Sequence, residues 1–233
     1  MQKLVFVIFV FSSLVTRSQA PGRTVQFSPP PIHNNFYKDA DLAVVKDKYP
    51  PFASGTPYFI DEWLNADGEL EHGETFKDVR MRLDLVENSL QYISPDGREL
   101  VASSAIKTVI FKDSTGGNQF KFVNSSFLGM KKEKSAWFLE LVSGRACLYK
   151  QIFKSVNEPK NYIPGGTQIS IESSEEYFIY TDSTLLPVKR LKEVPGLLHY
   201  KFKEVDTYMN EHKLSGKSES GFIELIKYYN SLF

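Results

Sequence analysis

Between Tyr58 and Lys189 the chain alternates short apolar runs with turn residues. That spacing restricts it to strands joined by hairpins, an antiparallel sheet. Val79, Met81, Leu83 and Leu85 alternate with Arg80, Arg82 and Asp84. A period of two places the apolar set on one face and the charges on the other, as in a half-buried strand. Glu87-Asn88-Ser89 reads as the turn that follows, Leu90 to Ser94 as the returning strand, and Asp96-Gly97 as the next hairpin, because glycine takes positive φ without steric cost. Asn65-Ala66-Asp67-Gly68 and His72-Gly73 read as turns in the same way. Further strands are expected at Ile106–Phe111, Gln119–Val123, Trp137–Val142, Ala146–Phe153, Thr167–Glu172, Tyr177–Tyr180 and Leu185–Lys189. Ser114–Gly117 and Ser143-Gly144 supply turns between them. Eighteen Phe and twelve Tyr suit pleated surfaces better than helices.

After Lys189 the apolar period lengthens to 3.6. Phe202, Val205, Tyr208, Met209 and His212 form one helical stripe; Phe222, Leu225, Ile226 and Tyr229 form another, with Lys213–Ser218 as the loop between them. Such amphipathic helices need a partner surface, and the sheet or each other is the nearest. The expected fold is therefore α+β: a mainly antiparallel β-sheet, sandwich or barrel-like, over 55–190, with two or three C-terminal helices in 191–233 packed on it.

The first 20 residues have a different character. A cationic head ends at Lys3, an apolar run covers Leu4–Val15, and Ser18-Gln19-Ala20 closes with small residues. This is the pattern of a secretory signal peptide. The run is shorter than the roughly 20 residues that a spanning helix requires. Cleavage after Ala20 would leave Pro21 first, which a signal peptidase disfavours; cleavage after Ser18 is the competing site. The expected location is outside the cytoplasm: periplasmic, outer-membrane-associated or secreted, with no transmembrane segment in the mature chain. Residues 21–54, punctuated by Pro29-Pro30-Pro31 and Pro50-Pro51, read as an irregular proline-rich arm.

Charge and cysteine usage exclude several classes. Loss of residues 1–20 removes Lys3 and Arg17 and no acid, so 28 basic and 28 acidic residues become a slightly acidic balance. A nucleic-acid surface needs a strong positive excess, so no nucleic-acid partner is expected. Cys147 is the single cysteine, which rules out an intramolecular disulfide and leaves stability to the core. Its setting, Arg145-Ala146-Cys147-Leu148-Tyr149, suggests a buried small apolar side chain.

Chemistry-bearing motifs are sparse. His33, His72, His199 and His212 show no i, i+4 pair, and no metal or cofactor is expected. Asn65–Glu69 lacks the spacing of a calcium loop. No nucleophile elbow, P-loop or dinucleotide fingerprint occurs. Paired carboxylates are harder to judge, because a glycosidase needs two acids at a set distance in space. Asp61-Glu62 beside Trp63 is the most suggestive cluster, since an indole stacks on sugars. The plain alternative is a segment boundary with exposed acids. Glu140 lies in Trp137-Phe138-Leu139-Glu140-Leu141-Val142, apolar on both faces, where a carboxylate would be desolvated. Its alternatives are an exposed edge position or an ion pair with Arg145 across the hairpin. Glu175-Glu176 reads as a solvated polar turn, and Asn124-Ser125-Ser126 is a glycosylation sequon.

Two stretches carry a resemblance. Gly55-Thr56-Pro57-Tyr58-Phe59-Ile60-Asp61-Glu62-Trp63-Leu64 with Phe76–Leu85 is one, and Glu211–Leu214 with Phe222–Leu232 is the other. Together they resemble a loose group of uncharacterised exported β-rich proteins of Gram-negative bacteria with a helical C-terminus. The resemblance implies export and a sheet with a helical tail; it carries no activity and no catalytic residues. The expected role is a non-catalytic envelope protein that binds another envelope protein or a cell-surface component. A carboxylate-dependent glycan hydrolase and a carrier for an apolar ligand are the alternatives.

Overall fold

In the computed structural model the described residues are Val45, 54–103, 105–113, 117–130, 136–157 and 169–233. The signal-peptide pattern, nearly all of the arm, His33 and most of the Ser114–Gly117 turn lie outside them. The fold is α+β. Ten strands form one antiparallel sheet: β1 (Leu64–Leu70), β2 (Thr75–Asp84), β3 (Ser89–Ile93), β4 (Glu99–Val101), β5 (Ile106–Lys112), β6 (Gln119–Asn124), β7 (Trp137–Val142), β8 (Cys147–Asn157), β9 (Ser170–Thr181) and β10 (Thr184–Val188). Helices α1 (Val194–Leu197), α2 (Phe202–Glu211) and α3 (Glu219–Ser231) follow. The sheet is open, in the order β10-β9-β8-β7-β6-β5-β1-β2-β3-β4. None of the described helices is long and apolar enough to cross a membrane.

Two segments expected to be turns are strands. Asn65–Gly68 lies inside β1, where Gly68 serves close approach: the Phe76 ring sits where a β-carbon would be. Glu175 and Glu176 lie inside β9, which is one twelve-residue strand where two shorter ones were expected. Cys147 opens β8 facing away from the helices and is only half-buried, because the register gives the buried place beside it to Leu148.

The sheet cannot be flat. Val101 at the end of β4 pairs with Gln91, which pairs with Arg82, whereas Ile106 at the start of β5 pairs with Leu70. On a flat sheet those two residues would lie roughly 30 Å apart, counting strand spacing and rise. The five peptide units between them reach at most about 18 Å. The sheet therefore coils until β4 approaches the far end of β1 and β5. Ala102 N–H donates to the Leu90 carbonyl and Glu71 N–H to the Ala105 carbonyl, which pins the connection at both ends. Coiling encloses one face. Val79, Met81, Leu83, Tyr92, Val109, Phe111, Phe122 and Trp137 fill it. Phe59 closes it, with ring centroids 5.2 and 4.8 Å from those of Phe120 and Phe122.

A strap links distant strands. Ser54 bridges Ser170 on β9, while Tyr58 bridges Asp84 at the end of β2. From β8, the Lys154 ammonium donates to the carbonyls of Thr56, at 3.0 Å, and Tyr58. Burial lowers the Lys154 pKa below the usual lysine range, against the opposing pull of Asp61 and Asp84. Lys154→Met keeps the stem and removes both hydrogen bonds, with an expected loss of about 1–3 kcal/mol. The pH dependence has a definite sign. A lysine with a lowered folded pKa binds fewer protons folded than unfolded, so its contribution rises as pH climbs toward the unfolded value. The stability gap between parent and Lys154→Met, measured by urea unfolding, should therefore widen as pH climbs toward the ordinary lysine value of about 10.5. A gap independent of pH up to that value would count against the buried ammonium.

On the remaining strands the same face continues under the helices. Leu148, Ile179 and Val188 meet Leu191, Val205, Met209, Phe222, Leu225, Ile226 and Tyr229. The expected stripe of α3 is thus buried, whereas on that of α2 only Val205 and Met209 are buried, Tyr208 is half-buried, and Phe202 and His212 are exposed. Asn230 on α3 clamps the β7–β8 hairpin. Its Nδ2 donates to the Ser143 and Ala146 carbonyls, and its Oδ1 accepts from Ala146 N–H at 2.9 Å.

Candidate functional site

The four residues singled out from sequence do not converge. Asp61 and Glu62 are exposed in the bend before β1. Trp63 is engaged: the Arg82 guanidinium lies between it and Tyr58, 4.3 and 3.9 Å from the two ring centroids. Arg82 is further held by Gln91 Oε1 at 2.8 Å and by Glu99. One face of the indole is therefore covered by a cation.

Glu140 lies on β7, an interior strand, and not at an edge. Its register opposite Lys121 and Tyr149 gives it both partners: Lys121 Nζ at 3.0 and 3.1 Å, and the Tyr149 hydroxyl at 3.2 Å. Arg145, the alternative partner across the hairpin, points elsewhere and stacks on Phe233 and Tyr200. Burial, then the neighbouring Cys147 and Glu140, push the Tyr149 hydroxyl pKa far up, so it remains a donor to the carboxylate. Glu140 thus has a compensated role inside the sheet. Asn124 is equally occupied. It is buried, and its carbonyl accepts from Ser126 N–H at 3.1 Å and Ser126 Oγ at 2.8 Å, which caps the 3₁₀ turn Ser125–Leu128.

Coiling of the sheet creates a recess of about 420 Å³ beside the Ala102–Ala105 connection. The β2–β3 turn supplies Asn88 and Ser89, the connection supplies Ser103, and the β6 end supplies Asn124 and Ser126. Leu90, Ile106 and Trp137, all nearly buried, form an apolar floor, and the half-buried Phe127 adds an aromatic wall. Asn88 stands at φ 53°, the left-handed conformation that a tight hairpin asks of its turn residue. Among the described residues that line the recess, Glu71 alone carries a charge.

This lining dictates a chemistry. Hydroxyl and amide groups donate and accept in pairs, as neutral polyols do. An apolar floor suits the C–H face of a sugar ring. No cation among the described lining residues could neutralise an anion. Among the described residues no group of three or more His, Cys, Asp or Glu side chains is placed to hold a metal ion. The residues of the recess were visible in sequence only as a turn and a sequon. A strand pattern names its own turns, but not which turns a coiled sheet brings together. No protein-family model, no curated protein and no solved structure matches this chain.

Proposed function

We propose that the protein is an exported, non-catalytic binding protein whose recess beside Ala102–Ala105 takes a neutral saccharide of the cell surface. The observation that carries this reading is a lining of hydroxyl and amide groups, with Glu71 as its one described charge, over an apolar floor. Export rests on the residues 1–20 pattern. The recess holds one carboxylate among its described residues, whereas hydrolysis of a glycoside uses two. The large apolar face of the coiled sheet is filled by its own aromatic side chains, which favours a surface site over a ligand carried inside.

Screening against immobilised neutral and acidic oligosaccharides tests the reading. Neutral glycans should be retained and acidic ones should not. Ser89→Ala with Phe127→Ala should weaken retention at least tenfold, on the order of 1.4 kcal/mol or more, with little change in thermal unfolding. The saccharide should be recovered intact by mass spectrometry after prolonged incubation. Cleavage products would transfer the reading to a hydrolase, and retention of acidic glycans alone would end it.

A further inference from the structure

The lining of the saccharide recess includes one group that a set of hydroxyls and amides does not require, the carboxylate of Glu71. Glu71 opens the β1–β2 turn, one residue past Leu70. Three backbone hydrogen bonds fix it there. Leu70 N–H donates to the Glu74 carbonyl at 2.7 Å, Gly73 N–H to the Leu70 carbonyl at 3.0 Å, and Glu71 N–H itself to the Ala105 carbonyl at 2.8 Å. Gly73 stands at φ 85°, the left-handed backbone that lets the turn close. The bond to Ala105 ties this turn to the connection that walls the recess. The coiling that creates the recess therefore also delivers Glu71 to its edge.

Among the described residues no hydrogen bond or ion pair engages the Glu71 carboxylate. Lys107, next to Ile106 of the floor, is held by Glu69 at 2.9 Å. His72 and Glu74 share the turn with Glu71, and Glu87 precedes Asn88, but none of the three lines the recess. Glu71 is exposed, so its carboxylate is hydrated until a ligand replaces the water. A carboxylate only accepts hydrogen bonds, through two oxygens side by side. Two adjacent hydroxyls of a sugar ring donate in the matching pattern, and hydrogen bonds to an ionised acceptor are stronger than neutral ones.

We infer that Glu71 is the specificity-determining residue of the recess: it accepts from a vicinal diol of the bound saccharide and repels a saccharide that carries a carboxylate at the same place. The inference rests on the saccharide reading and adds to it the residue that selects by charge. The hydroxyls and amides around Glu71 both donate and accept, so they do not separate a neutral sugar from an acidic one; a fixed negative charge does.

Affinities of the full chain for immobilised trimers of glucose, galactose and mannose, and for their 6-carboxylate forms, test this at low salt. The parent should hold its best neutral trimer at least tenfold more tightly than the carboxylate form. Glu71→Gln keeps the stem and removes the charge, and should bring that preference below threefold. Glu74→Gln, in the same turn but outside the lining, should leave it unchanged. Deoxy analogues locate the diol. The analogue that the parent holds at least fivefold more weakly should be held by Glu71→Gln within twofold of its hydroxylated form. If the parent holds no neutral trimer, the saccharide reading itself falls. If it holds one, then a preference that is absent from the parent or persists in Glu71→Gln, or a deoxy loss that is equal in both proteins, overturns the role of Glu71 alone.

Discussion

Gly68→Val is expected to destabilise the sheet by about 3 kcal/mol or more, the upper part of the range for overpacking a filled core. A β-carbon at this position would lie 2.3 Å from Cζ of Phe76 and 2.5 Å from the Thr108 carbonyl oxygen. The ring could turn aside; the carbonyl belongs to the neighbouring strand β5 and cannot move without breaking the ladder. The backbone of Gly68 is not left-handed, so the cost is spatial rather than conformational. Gly68 also follows the irregularity in the β1–β2 register between Ala66 and Gly68, where the strand bends into the coil. Urea unfolding should show a lower midpoint at an unchanged slope. The thermal midpoint should fall by roughly 6–12 °C for a domain of this size. Adding Phe76→Leu should recover part of the loss but not all, because the Thr108 carbonyl remains. A Gly68→Val protein as stable as its parent would refute the placement of β1 between Phe76 and β5.

Phe222→Ala is the second substitution with a large expected effect, about 3–5 kcal/mol. The side chain is fully buried and joins α3 to Tyr177 on β9 and to the Leu191–Leu225 core. Truncation leaves a cavity among groups held by both the sheet and the helices, so it cannot collapse freely. If the helical segment is integral to the fold, unfolding stays a single transition and moves to lower urea. Helices that were a mere appendage would instead melt separately, giving two transitions by circular dichroism and tryptophan fluorescence. The saccharide recess uses none of these residues, so the folded fraction should retain neutral glycans.

The reading of individual elements from sequence succeeded where the signal is local. The alternation from Val79 falls in β2, with Leu85 just past its end, Asp96-Gly97 is the expected hairpin between β3 and β4 with Gly97 at φ 84°, and Phe222–Tyr229 is the buried stripe of α3. It failed where a long-range contact competed. Asn65–Gly68 has turn-forming residues, yet pairing with β2 on one side and β5 on the other holds it extended. Glu175-Glu176 is polar enough for a turn, yet the ladder to Gln151 and Ile152 keeps it in β9. Glu140 was recognised as an acid among apolar residues, but Lys121 lies 19 positions away and only the β6–β7 register delivers it.

From its order of residues alone, then, this chain settles an α+β composition, most of its strands and its helical tail, because period and turn chemistry act over a few neighbouring positions. The folded chain alone decided that β5 returns beside β1, that the sheet coils, and that Asn88, Ser103 and Ser126 share one recess. The physical reason is reach: a four-residue connection too short for a flat sheet forces curvature, and curvature selects which distant side chains become neighbours.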